Sequence, residues 1–310
     1  MEEKILILDF GSQYTQLIAR RIRELNIYCE IFPFNKIPEI TPEYVGVILS
    51  GSPFSVHDKD SPEINFESFG NLPVLGICYG AQLIAKENDC VVAKSEIREY
   101  GRAKLSYVNS ESVLMKDVEL DSDVWMSHGD SITEITESFQ VLASTKDVKV
   151  TSYYFKQKNY YGLQFHPEVT HTAFGREILN NFTVKICGCS QSWNPKRFVE
   201  YTIEKIRNTV KDDKVVLGLS GGVDSSVAAM LIHKAIGKNL FCVFVDNGLL
   251  RKNEFSTVLS SYKNLGLNVI GVDAKNLFYE GLVGKVDPED KRKSIGKNFI
   301  DVFEIGRAHV

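Results

Sequence analysis

The sequence predicts an α/β fold with two doubly wound, mainly parallel sheets, each in its own domain. Apolar strand patterns alternate with amphipathic helix patterns from the start of the chain, and this alternation begins again after a polar segment near residue 190. The 310 residues are enough for two domains of ordinary size. In sheets of this kind the functional loops lie at the carboxyl ends of the strands.

The first domain follows the alternation closely until residue 91. Between about residues 91 and 154 the patterns become shorter, as at 113–115, 141–144 and 151–155, which predicts antiparallel strands added to the parallel sheet. The remaining predicted elements are strands at 4–9, 28–32, 45–49, 72–77 and 160–165, and helices at 14–25, 79–87 and 174–186.

Domain boundaries follow from the polar, glycine- and proline-containing segment after the last of these helices. The first domain is predicted at 1–188, a linker at 189–195 and a second, nucleotide-binding domain at 196–304. The last residues, 305–310, are predicted to be a non-native tail.

Composition limits the functional classes. The chain is 44% hydrophobic and 25% charged, as in ordinary globular proteins, and its net charge of -4 argues against a nucleic-acid or anionic-membrane surface. No apolar stretch is long enough to cross a bilayer, and the first residues show no secretory signal. The six cysteines form no disulfide framework. These features predict a cytoplasmic protein that acts on small molecules.

Cys78 lies where a strand pattern turns into a helix pattern. Gly76 and Gly80 flank it as small residues flank the nucleophile in a serine nucleophile elbow, a strained turn that exposes the reactive side chain. The first amides of the helix and its dipole favour a thiolate there, which predicts a nucleophile. The alternative is a buried core cysteine, the commoner role of a single thiol.

His166 and Glu168 are the groups that such a thiolate would need as base and orienting carboxylate. In an extended segment, residues two apart project from the same side, and Pro167 restrains the backbone between them. An isolated His-Pro-Glu sequence is usually a surface turn. Together with the Cys78 turn it predicts a Cys-His-Glu triad.

A third strand pattern ends in a turn of small residues at Gly51 and Ser52. Their amides, together with the amide of Tyr79, are candidates for an oxyanion hole.

These motifs resemble class I glutamine amidotransferase domains, and the resemblance covers residues 1–188. It implies hydrolysis of glutamine through a cysteine thioester, with Cys78 as nucleophile, His166 as general base and acid, and Glu168 as its partner. The segments 7–14, 125–130 and 164–172 further resemble signatures of glutamine-hydrolysing GMP synthetases.

The same resemblance implies residues that bind glutamine. It places a loop containing Ser127, His128 and Gly129 against the substrate, with Gln82 nearby; the alternative for this loop is a simple turn. One position departs from the family, because the second glycine of the oxyanion turn is Ser52 here. We expect activity to survive if Ser52 does not need a positive φ.

The second domain begins with a buried-strand pattern at 214–219, and a loop of small residues follows it. Such a loop lets backbone amides converge on an anion at a helix N-terminus, although it lacks the lysine of a Walker loop. It resembles the pyrophosphate-binding loop of ATP pyrophosphatases, which implies ATP as co-substrate and Mg²⁺, with Asp224 as a candidate to bind the metal or to fix the loop. The alternative is that Asp224 caps the helix. The loop residues are Ser220, Gly221, Gly222, Val223, Asp224, Ser225 and Ser226.

Two later residues are further candidates. Asp246 ends the next strand pattern, where a nucleotide-binding sheet places a ribose or adenine contact. The segment 287–293 opens a helix, and its acidic residues suit a helix N-terminus. A similar segment lies beside the nucleotide substrate in GMP synthetases, which implies that Arg292 binds its phosphate. The alternative is a solvated helix face.

The full resemblance implies synthesis of GMP from glutamine, ATP and xanthosine monophosphate. Family members continue with the rest of the ATP domain and a dimerisation domain, so we expect a C-terminally truncated chain that retains at most the glutaminase half, and homodimers for longer relatives. Three alternatives remain. An NAD synthetase relative would not explain 125–130, a stand-alone glutaminase would not need 214–226, and a non-catalytic sensor would not need the triad.

Overall fold

The structure is a computed structural model that describes residues 3–307, except for the side chains of 95–99 and 305–307. It divides into two compact units, Met1–Asn194 and Pro195–Val310, called here the N-terminal and C-terminal units. The predicted tail at 305–310 falls largely outside this description. Residues 308–310 are not described, and 305–307 are described only as helical backbone.

Within the described residues, the N-terminal unit contains one nine-stranded sheet in the order β2-β1-β3-β4-β9-β8-β7-β5-β6. The first five strands in this order are parallel and the remaining four are antiparallel. This confirms the predicted α/β sheet with antiparallel additions. The strands are β1 (Lys4–Asp9), β2 (Tyr28–Pro33), β3 (Tyr44–Leu49), β4 (Val74–Ile77), β5 (Val91–Val108), β6 (Asp123–Glu134), β7 (Phe139–Thr145), β8 (Ser152–Phe155) and β9 (Tyr160–Leu163).

Both faces of the parallel strands are covered. In β1, Ile5 and Ile7 belong to one apolar core while Leu6 and Leu8 belong to a second core. Successive side chains of a strand point to opposite faces, so an unbroken apolar run marks a strand buried on both sides. The α-helices among the described residues of this unit are α1 (Thr15–Glu24), α2 (Tyr79–Lys86) and α3 (Gly175–Asn180). A π-helical segment, Asn181–Ile186, continues α3, and a short 3₁₀ helix lies at Phe66–Phe69.

Two predictions about the antiparallel region are wrong. Residues 113–115 form a turn rather than a strand. The apolar side chains of Leu114 and Met115, which suggested a strand, pack into a core from this turn. Ser127, His128 and Gly129 lie inside β6, not in a loop. The polar residues and the glycine hid this strand from sequence patterns, although its burial alternates along most of its length.

The C-terminal unit has a three-stranded parallel sheet in the order β10-β11-β12 within the described residues. Leu219 and Phe244 belong to a core on one face, and Val243 and Phe278 to a core on the other. Among the described residues, none of the helices has the length and apolar character needed to span a membrane. The elements are β10 (Val215–Leu219), β11 (Leu240–Asp246), β12 (Val269–Asp273), α4 (Pro195–Val210), α5 (Val223–Ile236), α6 (Glu254–Asn264), α7 (Lys275–Leu282) and α8 (Pro288–Arg307).

Candidate active site

Cys78 occupies the turn between β4 and α2 with φ 52° and ψ -105°. A side chain in this region of φ is strained, and the surroundings must hold it there. The Cys78 amide donates to the carbonyl of Leu163 at 2.7 Å. A Cβ added to Gly76 would lie 2.5 Å from the amide nitrogen of Ala81, and one added to Gly80 would lie 2.6 Å from the carbonyl oxygen of Leu49. Both glycines are therefore required by close backbone packing around the thiol.

His166 and Glu168 follow β9 and are buried. Nδ1 of the imidazole lies 2.7 Å from Oε1 of the carboxylate, which makes a charge-assisted pair. Burial alone would lower the pKa of His166, but the carboxylate of Glu168 and hydrogen bonds with Cys78 and Glu168 hold that pKa well above its usual value. The imidazole is thus placed between the thiol and the carboxylate.

The backbone around this pair is fixed as well. The His166 amide donates to the carbonyl of Trp125 at 3.0 Å, and the His166 carbonyl accepts from Oγ1 of Thr172 at 2.6 Å. Gly175, the first residue of α3, packs so closely on the carbonyl of Pro167 that a side chain would not fit. His166 is therefore held by strand β6 and by the segment that precedes α3.

A cavity of about 620 Å³ lies in front of Cys78 and His166. Glu168 is fully buried and does not line this cavity. Ser52 does not have a positive φ, so a serine can occupy this position of the predicted oxyanion turn without backbone strain. The other predicted residues on the cavity wall are Gly51, Ser52, Tyr79, Gln82, Ser127, His128 and Gly129.

Sequence reasoning missed about half of the cavity wall. Tyr14 is one such residue, and its ring lies 5.1 Å from the imidazole of His166, centroid to centroid. Gly11, Ser12, Gln13 and Asp130 fall within segments that carried the family resemblance, so a signal existed for them. Lys94 and Tyr100 on β5 had none. The missed lining residues are Gly11, Ser12, Gln13, Tyr14, Pro53, Phe54, Ser55, Asp58, Lys94, Tyr100 and Asp130.

Gln82 and His128 are both buried in the cavity wall. Nε2 of Gln82 donates to the carbonyl of Asp130 at 2.7 Å and lies 3.3 Å from Oε1 of Gln164. Gln82 therefore ties α2 to β6. Burial lowers the pKa of His128 to about 4, so this imidazole is neutral at pH 7.

The loop between β10 and α5 is exposed and is held mainly by hydrogen bonds within its own segment, together with one contact of 2.7 Å between the hydroxyls of Ser226 and Tyr262. Ser225 and Ser226 donate to the carbonyl of Gly222 at 3.1 and 2.7 Å, and the hydroxyls of Ser220 and Ser225 lie 3.0 Å apart. Gly221 has a φ of 77°, which glycine adopts easily.

Asp224 does not cap the helix that follows this loop. Gly222 is the N-cap residue of α5 and makes no side-chain cap bond, while Asp224 lies in the first turn. Within the described residues, no group of three or more histidines, cysteines or acidic residues could hold a metal ion by itself. Mg²⁺ commonly takes one or two carboxylates together with substrate phosphates, and the exposed Asp224 beside the loop fits that requirement.

Asp246 ends β11 and is engaged by the protein. Its carboxylate accepts from the Gly248 amide at 3.0 Å and pairs with Lys275 at 3.1 Å. It lines a second cavity of about 270 Å³, together with Arg251, Lys275 and Tyr279.

Arg292 lies on an exposed face of α8, where it pairs with Glu289 at 2.9 Å. It does not line the cavity that contains Asp246. Asp287 caps α8, because its Oδ1 accepts from the amides of Glu289 and Asp290 at 2.8 and 3.1 Å.

Comparison with known protein families identifies the class of protein to which this fold belongs. The sequence profile of the glutamine amidotransferase class-I family matches residues 6–186, and the chain belongs to this family. The profile of the NAD synthase family matches residues 196–295.

Individual relatives match over both units. The chain is 62% identical over 305 residues to a GMP synthase [glutamine-hydrolyzing] of Cytophaga hutchinsonii, covering 98% of this chain and 60% of that protein. It is 56% identical over 306 residues to the GMP synthase [glutamine-hydrolyzing] 1 of Bacteroides thetaiotaomicron, with the same coverage of 98% and 60%. The chain thus spans 60% of the length of these curated relatives.

Among solved structures, the chain is similar to a putative GMP synthase subunit of Thermoplasma acidophilum. The TM-score is 0.50 at 30% identity, and the match covers 65% of this chain and 98% of that protein.

Proposed function

We propose that this chain carries the glutaminase and ATP-binding parts of an enzyme that makes GMP from xanthosine monophosphate, ATP and glutamine. The main support is the approach of His166 and Glu168 to Cys78 at a cavity in a member of the glutamine amidotransferase family. The names of relatives that match both units supply the product. They favour GMP synthesis over NAD synthesis, which the match of residues 196–295 alone would also allow.

In the glutaminase reaction, the thiolate of Cys78 attacks the side-chain amide carbon of glutamine. The negative charge that develops on the amide oxygen is stabilised by amides of the Gly51–Ser52 turn and of Tyr79. His166 gives its proton to the leaving nitrogen, and ammonia departs from a glutamyl thioester. His166 then takes a proton from water, which attacks the thioester and releases glutamate and the thiolate of Cys78. Glu168 orients the imidazole and stabilises its charged form.

In the ATP-dependent reaction, the loop Ser220–Ser226 binds the β and γ phosphates through its amides and hydroxyls. The carbonyl oxygen of xanthosine monophosphate attacks the α phosphate, which releases pyrophosphate and leaves an adenylated nucleotide. Ammonia then displaces AMP to form GMP. Asp224 would hold Mg²⁺, which neutralises phosphate charge when bound. Asp246 and Arg292 are proposed contacts of ATP and of the nucleotide phosphate.

The remaining assignments of the sequence stay predictions. They are a cytoplasmic location and homodimers of longer relatives.

The test is ammonia release from glutamine by the purified chain and by two cysteine variants, with and without ATP, magnesium and xanthosine monophosphate. Cys78→Ala is expected to abolish release. Cys90→Ala is the matched control, because Cys90 is also buried but does not line the cavity. Full activity in Cys78→Ala would exclude the proposed glutaminase, and equal loss in both variants would indicate that the loss comes from misfolding.

A further inference from the structure

Helix α1 contacts the candidate triad at two points that the proposed chemistry does not use. Tyr14, the residue before α1, lies edge-on against the His166 ring at 5.1 Å with an interplanar angle of 65°. About two helical turns further on, Nε of Arg21 donates to the main-chain carbonyl of Glu168 at 2.9 Å. Helix α1 and the residue that caps it therefore contact the imidazole ring and the backbone of its carboxylate partner.

The start of α1 is itself anchored to the sheet. Oδ1 of Asp9, the last residue of β1, accepts from Oγ1 of Thr15 at 2.7 Å and from the Gly11 amide at 2.9 Å. Thr15 is buried, as are Ile18 and Ile22 on the core face of α1. A helix fixed in this way can transmit position to the side chains that it carries.

The contact from Arg21 completes the support of the His166–Glu168 segment. Trp125 and Thr172 already hold the amide and the carbonyl of His166, and Arg21 holds the carbonyl of Glu168. Oε2 of Glu168 is buried and has no hydrogen-bond partner among the described residues. The carboxylate is thus oriented mainly through its bond to His166 and through its own backbone, which increases the weight of the Arg21 contact.

We propose that Tyr14 and Arg21 are positioning residues of the glutaminase: Arg21 sets the backbone of Glu168, and the Tyr14 ring restricts the imidazole of His166 to the orientation that faces Cys78. This inference rests on the proposed function. Misplacement of a reacting group by about 1 Å can cost on the order of a hundredfold in rate, so modest displacement is expected to lower kcat measurably.

Arg20 provides a matched control for Arg21. Both side chains pair with Glu24, at 2.9 and 2.8 Å, but among these two only Arg21 has a hydrogen bond to Glu168. Arg21→Met and Arg20→Met therefore each remove one surface ion pair, and only the first removes the contact with the triad. We expect Arg21→Met to lower kcat for ammonia release about tenfold or more, with KM for glutamine within about twofold, and Arg20→Met to behave as the unchanged chain.

Tyr14 is tested by the pair Tyr14→Phe and Tyr14→Leu. Phenylalanine keeps the ring against His166 and leucine removes it. We expect Tyr14→Phe to retain most of the kcat that Tyr14→Leu loses, with kcat about tenfold lower in Tyr14→Leu than in Tyr14→Phe. If Tyr14→Phe raises KM as much as Tyr14→Leu, the hydroxyl binds substrate and the positioning role of Tyr14 is overturned.

A second measurement separates positioning from general destabilisation. The pKa of His166, followed by NMR in histidine-labelled protein and assigned with His166→Gln, should fall towards about 6.5 in Arg21→Met because a misaligned carboxylate stabilises the imidazolium less. It should not change in Arg20→Met. An Arg21→Met chain with the kcat and the His166 pKa of Arg20→Met would overturn the proposal. Ammonia release that survives in Cys78→Ala would instead overturn the glutaminase itself.

Discussion

The turn at Cys78 and the loop Ser220–Ser226 both connect a parallel strand to a helix, but they are stabilised differently. At the Cys78 turn, the strained backbone is enclosed by neighbouring main chain, which leaves no room for a Cβ on Gly76 or Gly80. In the loop, a Cβ on Gly222 would meet only the hydroxyl of Ser220, at 3.3 Å, and the hydrogen bonds that Ser225 and Ser226 donate to Gly222 stay within the segment.

This difference matches the two proposed chemical tasks. A nucleophile must be held in one orientation against backbone strain, and tight packing by elements distant in sequence can do this. A loop that binds phosphates must present its amides to a ligand, so it stays open and uses short-range contacts. A site preorganised by packing should therefore be more sensitive to added volume than a site preorganised by local hydrogen bonds.

Alanine at the two turns should give the largest contrast. Gly76→Ala places a Cβ against backbone atoms that cannot move aside, and we expect a loss of roughly 3 kcal/mol or more of unfolding free energy and no ammonia release. Gly222→Ala should change the stability of the C-terminal unit by less than about 1 kcal/mol.

Urea unfolding followed by tryptophan fluorescence measures the first effect, because both tryptophans, Trp125 and Trp193, lie in the N-terminal unit. Circular dichroism measures the second. If Gly76→Ala lowers the unfolding free energy of the N-terminal unit no more than Gly222→Ala lowers that of the C-terminal unit, the close packing around Cys78 does not contribute to stability.

Glu168→Gln tests the electrostatic part of the enclosed site. Without the carboxylate, burial dominates and the pKa of His166 should fall, with kcat for ammonia release lowered roughly 10²- to 10⁴-fold. A kcat within about threefold of the unchanged chain would argue against the role of Glu168.

The pH dependence of stability has a definite sign for this pair. The pKa of His166 is raised in the folded chain, so its contribution is fully present below the unfolded value of about 6.5 and is lost as pH rises through the folded pKa. Urea midpoints above about pH 6.5 should therefore decline in the unchanged chain and decline less in Glu168→Gln.

His128 should produce a smaller effect, in the acidic range. Its pKa of about 4 in the folded chain means that its contribution is present above about 6.5 and is lost as pH falls towards 4, at a cost of about 3 kcal/mol. His128→Gln should flatten this part of the stability profile.

Arg292→Met should have the smallest effect on stability. The pair with Glu289 is exposed, and such pairs contribute less than about 0.5 kcal/mol. If Arg292 binds the nucleotide phosphate, Arg292→Met should weaken binding of xanthosine monophosphate in calorimetry while Glu289→Gln should not. Equal binding by both variants would leave Arg292 as a solvated helix residue.

The sequence by itself determined the features that depend on short-range patterns. The apolar run of β1, the glycines around Cys78, the two-residue spacing of His166 and Glu168, and the small residues after β10 each reflect contacts or backbone geometry within a few positions. Local geometry of this kind is encoded by neighbouring residues, so the alternation of strands and helices and the candidate nucleophile were predictable.

Only the tertiary structure determined the contacts between distant segments. Tyr14 meets His166 across about 150 residues of sequence, Gln82 meets the carbonyl of Asp130 on β6, and Lys94 and Tyr100 reach the cavity from β5. Patterns within a few residues do not show which distant side chains a folded sheet brings together, because that depends on strand order. For the same reason the turn at Leu114 was predicted as a strand, and the part of strand β6 around Ser127, His128 and Gly129 was predicted as a loop.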